Sequence, residues 1–194
     1  PGVIFSATSS DFYPRVAAAK DEDEARRITE KQIQASLLLA TPILMGLLTM
    51  GPLAVRLLYA QGFEPAVPLL GWFVWAIFLN LLGWPLGFWV IARHTKRAVA
   101  IFQSLLSISV VLLALFIIPH WGVTGAAVAY FCSSLVYAML LLVFTRLQSG
   151  RWVSLPTGAW FVACGSGLFF ATRLVCMTGS TYWGAVTTAL AAAI

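Results

Sequence analysis

Residues 93–151 decide the fold: RHTKR (Arg93–Arg97), AVAIFQSLLSISVVLLALFII (Ala98–Ile118), PHWG (Pro119–Gly122), VTGAAVAYFCSSLVYAMLLLVFT (Val123–Thr145) and RLQSGR (Arg146–Arg151). Two apolar runs, each long enough to cross the roughly 30 Å core of a bilayer as a helix, share a turn without Lys or Arg. Their outer flanks carry the cations. Cytoplasmic loops retain Lys and Arg while translocated loops lose them, so this stretch reads as a transmembrane hairpin whose two ends are on the cytoplasmic side.

The same alternation extends in both directions. A mixed-charge segment lies at Asp21–Lys31, whereas the turns at Gln61–Pro65 and Met177–Thr181 contain no Lys or Arg. Five complete spans follow, at about Ala35–Tyr59, Ala66–Ala92, Ala98–Ile118, Val123–Thr145 and Leu155–Arg173. Partial spans stand at Pro1–Ala19 and from Tyr182 onward. Both ends read as cuts through transmembrane helices, so the chain is expected to be a fragment. Positive-inside orientation places Pro1 outside and Lys20–Gln34 in the cytoplasm. Trp72, Trp89, Trp121, Trp152 and Trp183 fall near the expected interfaces, where an amphipathic ring is most stable.

Composition agrees. The chain is 60% hydrophobic and 10% charged, with a mean hydropathy of +0.89, against about 25% charged residues in a soluble domain. The net charge of +5 comes from loops beside apolar runs rather than from a basic stripe with interleaved aromatics, which argues against nucleic acid as a partner. Cys132, Cys164 and Cys176 show no metal-ligand spacing and read as small packing residues. No motif points to a metal, a cofactor or a catalytic constellation.

Asp21–Lys31 predicts a short cytoplasmic helix that runs into the next span. Glu22/Arg26 and Asp23/Arg27 are spaced i, i+4 with the acid first, and Asp21 with Glu24 resembles a capping box.

Candidate functional residues are the polar and helix-distorting positions inside spans. Asp11 lies roughly 13 Å from its helix end at 1.5 Å per residue. A carboxylate there must be paired or wet, with Arg15 as a local partner or a cavity as the alternative. Asn80, Gly83, Trp84 and Gly87 share one helical face, and Pro85 removes a backbone hydrogen bond in their midst, so a kink is expected. That face suits either a helix that bends during transport or close packing. Thr49, Pro52 and Arg56 align similarly on the preceding span, with Gly51–Pro52 as a second bend. Arg56 either snorkels to the interface or faces a cavity as a cation for an anionic headgroup, and Arg173 has the same two readings. Gln103, Ser104 and Ser107 form a polar stripe that could face a cavity. Gly125, Ala129 and Ser133 form a small-residue packing ridge.

An ordered set of motifs resembles one family. DFYPR (Asp11–Arg15), the acidic–basic segment after it and Pro42 early in a span are followed by LLYAQGF (Leu57–Phe63) with Pro65–Ala66. WPLGF (Trp84–Phe88) and PHWGVTGA (Pro119–Ala126) come next. Together, over about Phe5–Thr145, they are similar to the second half of Wzx-type O-antigen translocases, polysaccharide flippases of the multidrug/oligosaccharidyl-lipid/polysaccharide exporter superfamily.

The resemblance implies an all-α polytopic membrane protein of the bacterial inner membrane. Residues 1–150 would form the second helical bundle, truncated at its N-terminus, and residues 151–194 additional C-terminal helices. It also implies a transporter rather than an enzyme, flipping a polyprenyl-pyrophosphate-linked oligosaccharide from the cytoplasmic to the periplasmic leaflet by alternating access. Membrane lipids and polysaccharide polymerase machinery are the implied partners. Substrate-contacting candidates are Arg56, Asn80, Gln103 and Asp11; hinge candidates are Pro52, Pro85 and Gly87. The alternatives are a small-cation or multidrug exporter of the same superfamily, which would use Asp11, and a membrane-embedded glycan transferase.

Overall fold

The computed structural model describes residues 12–58, 67–93, 96–149 and 153–178, with side chains described over 12–51, 69–92, 100–148 and 153–173. Every element in these ranges is helical: α1 (12–18), α2 (Glu22–Leu58), α3 (Val67–Arg93), α4 (Lys96–Ser149) and α5 (Leu155–Thr178). Four of them, α2 to α5, are long and apolar enough to cross a membrane. The expected partial span from Tyr182 lies outside the described residues, as does the first partial span up to Asp11.

α2 begins where the charge pattern places a cap. The Glu24 N–H donates to Asp21 Oδ1 at 2.7 Å, and Glu24 Oε2 accepts from the Lys20 N–H at 2.8 Å. These reciprocal bonds satisfy donors that the first helical turn leaves without partners. From that start the charged segment and the first complete span are one continuous helix, which passes through Pro42 and Pro52. A pair on its charged face joins Arg26 to Glu30, with Nε 3.0 Å from Oε1.

α4 is a hairpin rather than a rod. Gly122 leaves helical geometry at φ 58°, ψ −140°. Residues 102 and 144 would stand roughly 60 Å apart on a straight helix, yet the Phe102 and Phe144 rings meet edge-on with centroids 5.1 Å apart. The reversal is so tight that a Cβ at Gly125 would lie 2.9 Å from the backbone carbonyl carbon and oxygen of Ile117.

Helix directions follow from which residues meet. Leu70 at the start of α3 reaches Gly51 toward the end of α2, so these two run antiparallel. α3 and the second limb of α4 are parallel: Trp72 meets Phe131, Phe73 meets Tyr130, and Gly83 faces Tyr137. α2 and α5 are also parallel, with Gln34 bonded to Thr157 and Met45 against Gly167. α2 thus sits between α3 and α5, and α3 sits between α2 and α4. As a consequence, the charged start of α2, the end of α3 with the start of α4, and the end of α4 with the start of α5 all come to one end of the bundle. That is the arrangement the alternating charge pattern requires.

The core is apolar and continuous, built around Ile33, Leu37, Val74, Phe78, Leu81, Val90, Leu141 and Leu168. Phe12 and Val16 of α1 join it, and Phe12 meets Phe88 edge-on. The outer faces are apolar as well: Leu38, Leu39, Ile43, Leu47 and Met50 on α2, and Ile101, Leu105, Ile108, Leu112, Leu115 and Phe116 on the first limb of α4 are exposed. Continuous exposed stripes of this kind exceed what a water-soluble monomer carries; lipid is their natural solvent. Trp72 and Trp121 are exposed, in keeping with an interfacial position, but Trp89 is 3% exposed and belongs to the core. The apolar bulk of its ring outweighs the belt preference where the core can enclose it. Trp152 and Trp183 lie outside the described residues.

Candidate functional site

The candidate site is a groove between α3 and both limbs of α4. On α3, Gly83 and Gly87 are one turn apart on a single face and leave a furrow. The Tyr137 ring fills its upper part, because a Cβ at Gly83 would stand 3.1 Å from Tyr137 Cε1 and one at Gly87 would stand 3.3 Å from its hydroxyl oxygen. Small residues four apart let helices approach closely, and here they receive a tyrosine rather than a second glycine ridge.

Below Tyr137 the furrow widens into a cavity of about 330 Å³ lined by Trp84, Gly87, Phe88, Ile91, Gln103 and Tyr137. Its walls come from the last third of α3, the beginning of α4 and the middle of the second limb. It therefore lies nearer the end of the bundle that gathers the charged segments. None of the described lining residues carries a formal charge. Its polar side-chain groups among the described residues are the Trp84 indole N–H, the Gln103 amide and the Tyr137 hydroxyl, and the last two make no side-chain hydrogen bond among the described residues. Trp84 is 42% exposed at the rim, while Tyr137 is 5% exposed.

Sequence reasoning placed Gly87 and Gln103 among the candidates, and both line the groove. Trp84, on the same expected face, is its aromatic wall. Asn80 is one turn further along α3, buried, and its amide donates to Ser134 Oγ at 3.3 Å. It therefore ties α3 to α4 instead of lining the cavity. Pro85 sits inside α3, which remains helical across it. Asp11 lies outside the described residues, and so do the side chains of Arg56 and Pro52, whose backbone belongs to α2. Arg173 is exposed and its guanidinium carbon stands 5.5 Å from the Phe169 ring centroid. Of the small-residue ridge, Gly125, Ala129 and Ser133 are all buried, and Ser133 Oγ donates back to the Ala129 carbonyl.

Two features escaped the sequence reading. Tyr137 lies in an uninterrupted apolar run, so polarity gave no cue; the paired glycines of α3 were the only sign that a bulky partner faces them. The second is a polar network joining α2 to α5. Glu30 Oε1 accepts from Arg26 Nε at 3.0 Å and from the Ser154 N–H at 2.9 Å. Ser154 caps α5, since its carbonyl accepts from the Gly158 N–H. Its hydroxyl contacts Thr157 Oγ1 at 3.1 Å, and Thr157 Oγ1 in turn accepts from Gln34 Nε2 at 2.8 Å. Thr157 is wholly buried. The network spans more than 120 positions of sequence, which no local pattern can reveal.

The chain matches no protein-family profile, no curated protein and no solved structure.

Proposed function

We propose that the chain is part of a flippase that moves a polyprenyl-pyrophosphate-linked oligosaccharide from the cytoplasmic to the periplasmic leaflet of a bacterial inner membrane. It would supply the second helical bundle, with the two limbs of α4 as separate spans. The carrying observation is the groove between α3 and the α4 hairpin, set toward the end of the bundle that collects the basic segments. A flippase that loads substrate from the cytoplasmic leaflet needs an opening at that depth, between helices that pack through small residues and can part. The ordered motifs support the same reading, since WPLGF supplies one groove wall and PHWGVTGA forms the hairpin turn.

The exporter alternative needs a carboxylate in the membrane, and the described lining of the groove contains none; that alternative rests on Asp11.

Orientation is tested by reporter tags. Those at residues 62 and 121 should report outside the cytoplasm and one at 95 inside, and the reverse pattern would remove the basis of the assignment. Function is tested by deleting the full-length gene in its host. The expected result is loss of surface glycan with accumulation of the lipid-linked intermediate in the inner leaflet. Unchanged surface glycan without accumulation counts decisively against a flippase.

A further inference from the structure

We propose that the lipid-facing side of α2, where it runs beside α5 at the charged end of the bundle, binds an anionic phospholipid of the surrounding bilayer. Arg27 and Lys31 hold the headgroup phosphate, and Ala35, Leu38, Pro42 and Trp160 take the upper part of an acyl chain. The inference needs only the bilayer as solvent and is independent of the flippase reading.

The site follows from how α2 leaves the membrane. Arg27, Lys31, Ala35, Leu38 and Pro42 recur at three- and four-residue spacing, which keeps them on one side of a helix, and all five are exposed. That side is turned away from the core face of Ile33 and Leu37. The cations therefore continue the apolar stripe without a change of face. Lys31 precedes Ala35 by roughly 6 Å of helix axis, the depth of a headgroup layer roughly 5–7 Å thick. Arg27 is one turn further out, inside the roughly 10 Å over which charges at a surface act on one another.

The neighbouring acids are directed elsewhere. Glu30, between the two cations in sequence, accepts from Arg26 Nε and from the Ser154 N–H. Glu24 accepts from the Lys20 N–H and stands roughly 10 Å of axis beyond Lys31. Charge along α2 is thus graded, with acids at the far end and cations beside the bilayer.

α5 supplies the second wall. Gln34 bonds to Thr157 and Met45 meets Gly167, so the parallel register sets Trp160 level with Leu38. Trp160 precedes Gly167 by two turns on the same side of α5, and it is 47% exposed. An indole at this depth packs on the upper acyl chain and offers its N–H to the ester region.

Charge complementarity selects the occupant. A zwitterionic headgroup brings a cation of its own, whereas a net anionic one gains about fivefold in affinity for each Lys or Arg near the surface. A soluble polyanion would meet the cations and leave the apolar track uncovered. The track opens on the bulk bilayer and not on the α3–α4 groove, so the membrane's own phospholipid is the occupant.

The test places the photo-crosslinker benzoylphenylalanine at position 35 of the full-length protein, in phosphatidylcholine vesicles holding a minority of phosphatidylglycerol. Mass spectrometry of the adduct reads the lipid class at that position. Phosphatidylglycerol should exceed its share of the bilayer by about five- to twenty-fivefold, Arg27→Gln or Lys31→Gln should each lower the excess about fivefold, and the double variant should remove it. Molar salt should lower it in the unsubstituted protein as well, a readout that no folding defect can imitate. Arg173→Gln, at the other end of the bundle, should leave it unchanged. Adducts at the bulk share, an excess that survives both the double variant and salt, or replacement of phosphatidylglycerol by added polyprenyl phosphate would each overturn the proposal. Surface glycan and the lipid-linked intermediate are read in separate experiments, so this site and the flippase reading can fail independently.

Discussion

The hairpin in α4 is the element on which the topology depends most, and two glycines hold it. Gly122 has φ 58° and ψ −140°, a region closed to side chains that carry a Cβ, and nothing lies within 4 Å of the position a Cβ would take. Gly122→Ala should therefore cost only backbone strain, about 1–3 kcal/mol. Gly125 is the converse case. Its dihedrals are ordinary, but a Cβ would lie 2.9 Å from both the carbon and the oxygen of the Ile117 carbonyl and 3.0 Å from the Ile118 nitrogen. Three backbone atoms cannot rotate aside, so the limbs must separate by about half an ångström, at an overpacking cost of about 1–3 kcal/mol. Because the two glycines share one turn, the double variant should fall short of the sum. Gly158→Ala is the control: nothing lies within 4 Å of that position, and its effect should stay below about 1 kcal/mol in the stabilising direction. Reversible unfolding of the purified protein in mixed micelles, followed by tryptophan fluorescence, reads all four. If Gly125→Ala matches the wild type within about 0.5 kcal/mol, the two limbs do not meet at Ile117, and the hairpin geometry is wrong.

Further predictions concern the contacts between helices. A double-mutant cycle on Asn80→Ala and Ser134→Ala should give a coupling near 0.6 kcal/mol, the average for interhelical hydrogen bonds in membranes; zero coupling would mean that the 3.3 Å bond contributes nothing. Gly83→Leu should force Tyr137 out of its furrow and destabilise the α3–α4 contact by about 1–3 kcal/mol, whereas wild-type stability would separate Tyr137 from Gly83. Glu30→Ala strips both Arg26 and the Ser154 N–H of their acceptor and should cost about 1–3 kcal/mol. Glu30→Gln retains an acceptor for Ser154 and should cost less; equal losses in the two variants would place the effect in the charge and not in the cap. Hydrogen exchange at the start of α5 checks the same contact, since exchange there should accelerate in Glu30→Ala.

The groove residues differ in how readable they were. Gly87 and Gln103 stood out because a glycine beside a proline and an amide among aliphatics are local anomalies in an apolar run. Asn80 was equally anomalous, yet it spends its amide on Ser134; a one-turn difference along α3 separates packing from cavity, and that difference depends on where α4 lies. Trp89 and Trp72 have the same residue type and similar distances from a helix end, but the packing of the helices buries one and leaves the other exposed. Tyr137 carried no local sign of its role at all.

Sequence alone was enough for the helical class, the membrane as solvent, the capped start of α2 and the reversal at residues 119–122. Hydropathy, charge alternation and cap chemistry act between near neighbours in the chain, so they are written in short windows. Tertiary structure alone decided which residues share a groove, and that Glu30 reaches Ser154, since those meetings depend on helix direction and rotation. Lipid explains the division: it satisfies any apolar face equally, so hydropathy specifies that a helix crosses the bilayer but not which side of it faces a neighbour. The facing is set by glycine furrows and a few hydrogen bonds between distant segments, and these exist only once the helices have packed.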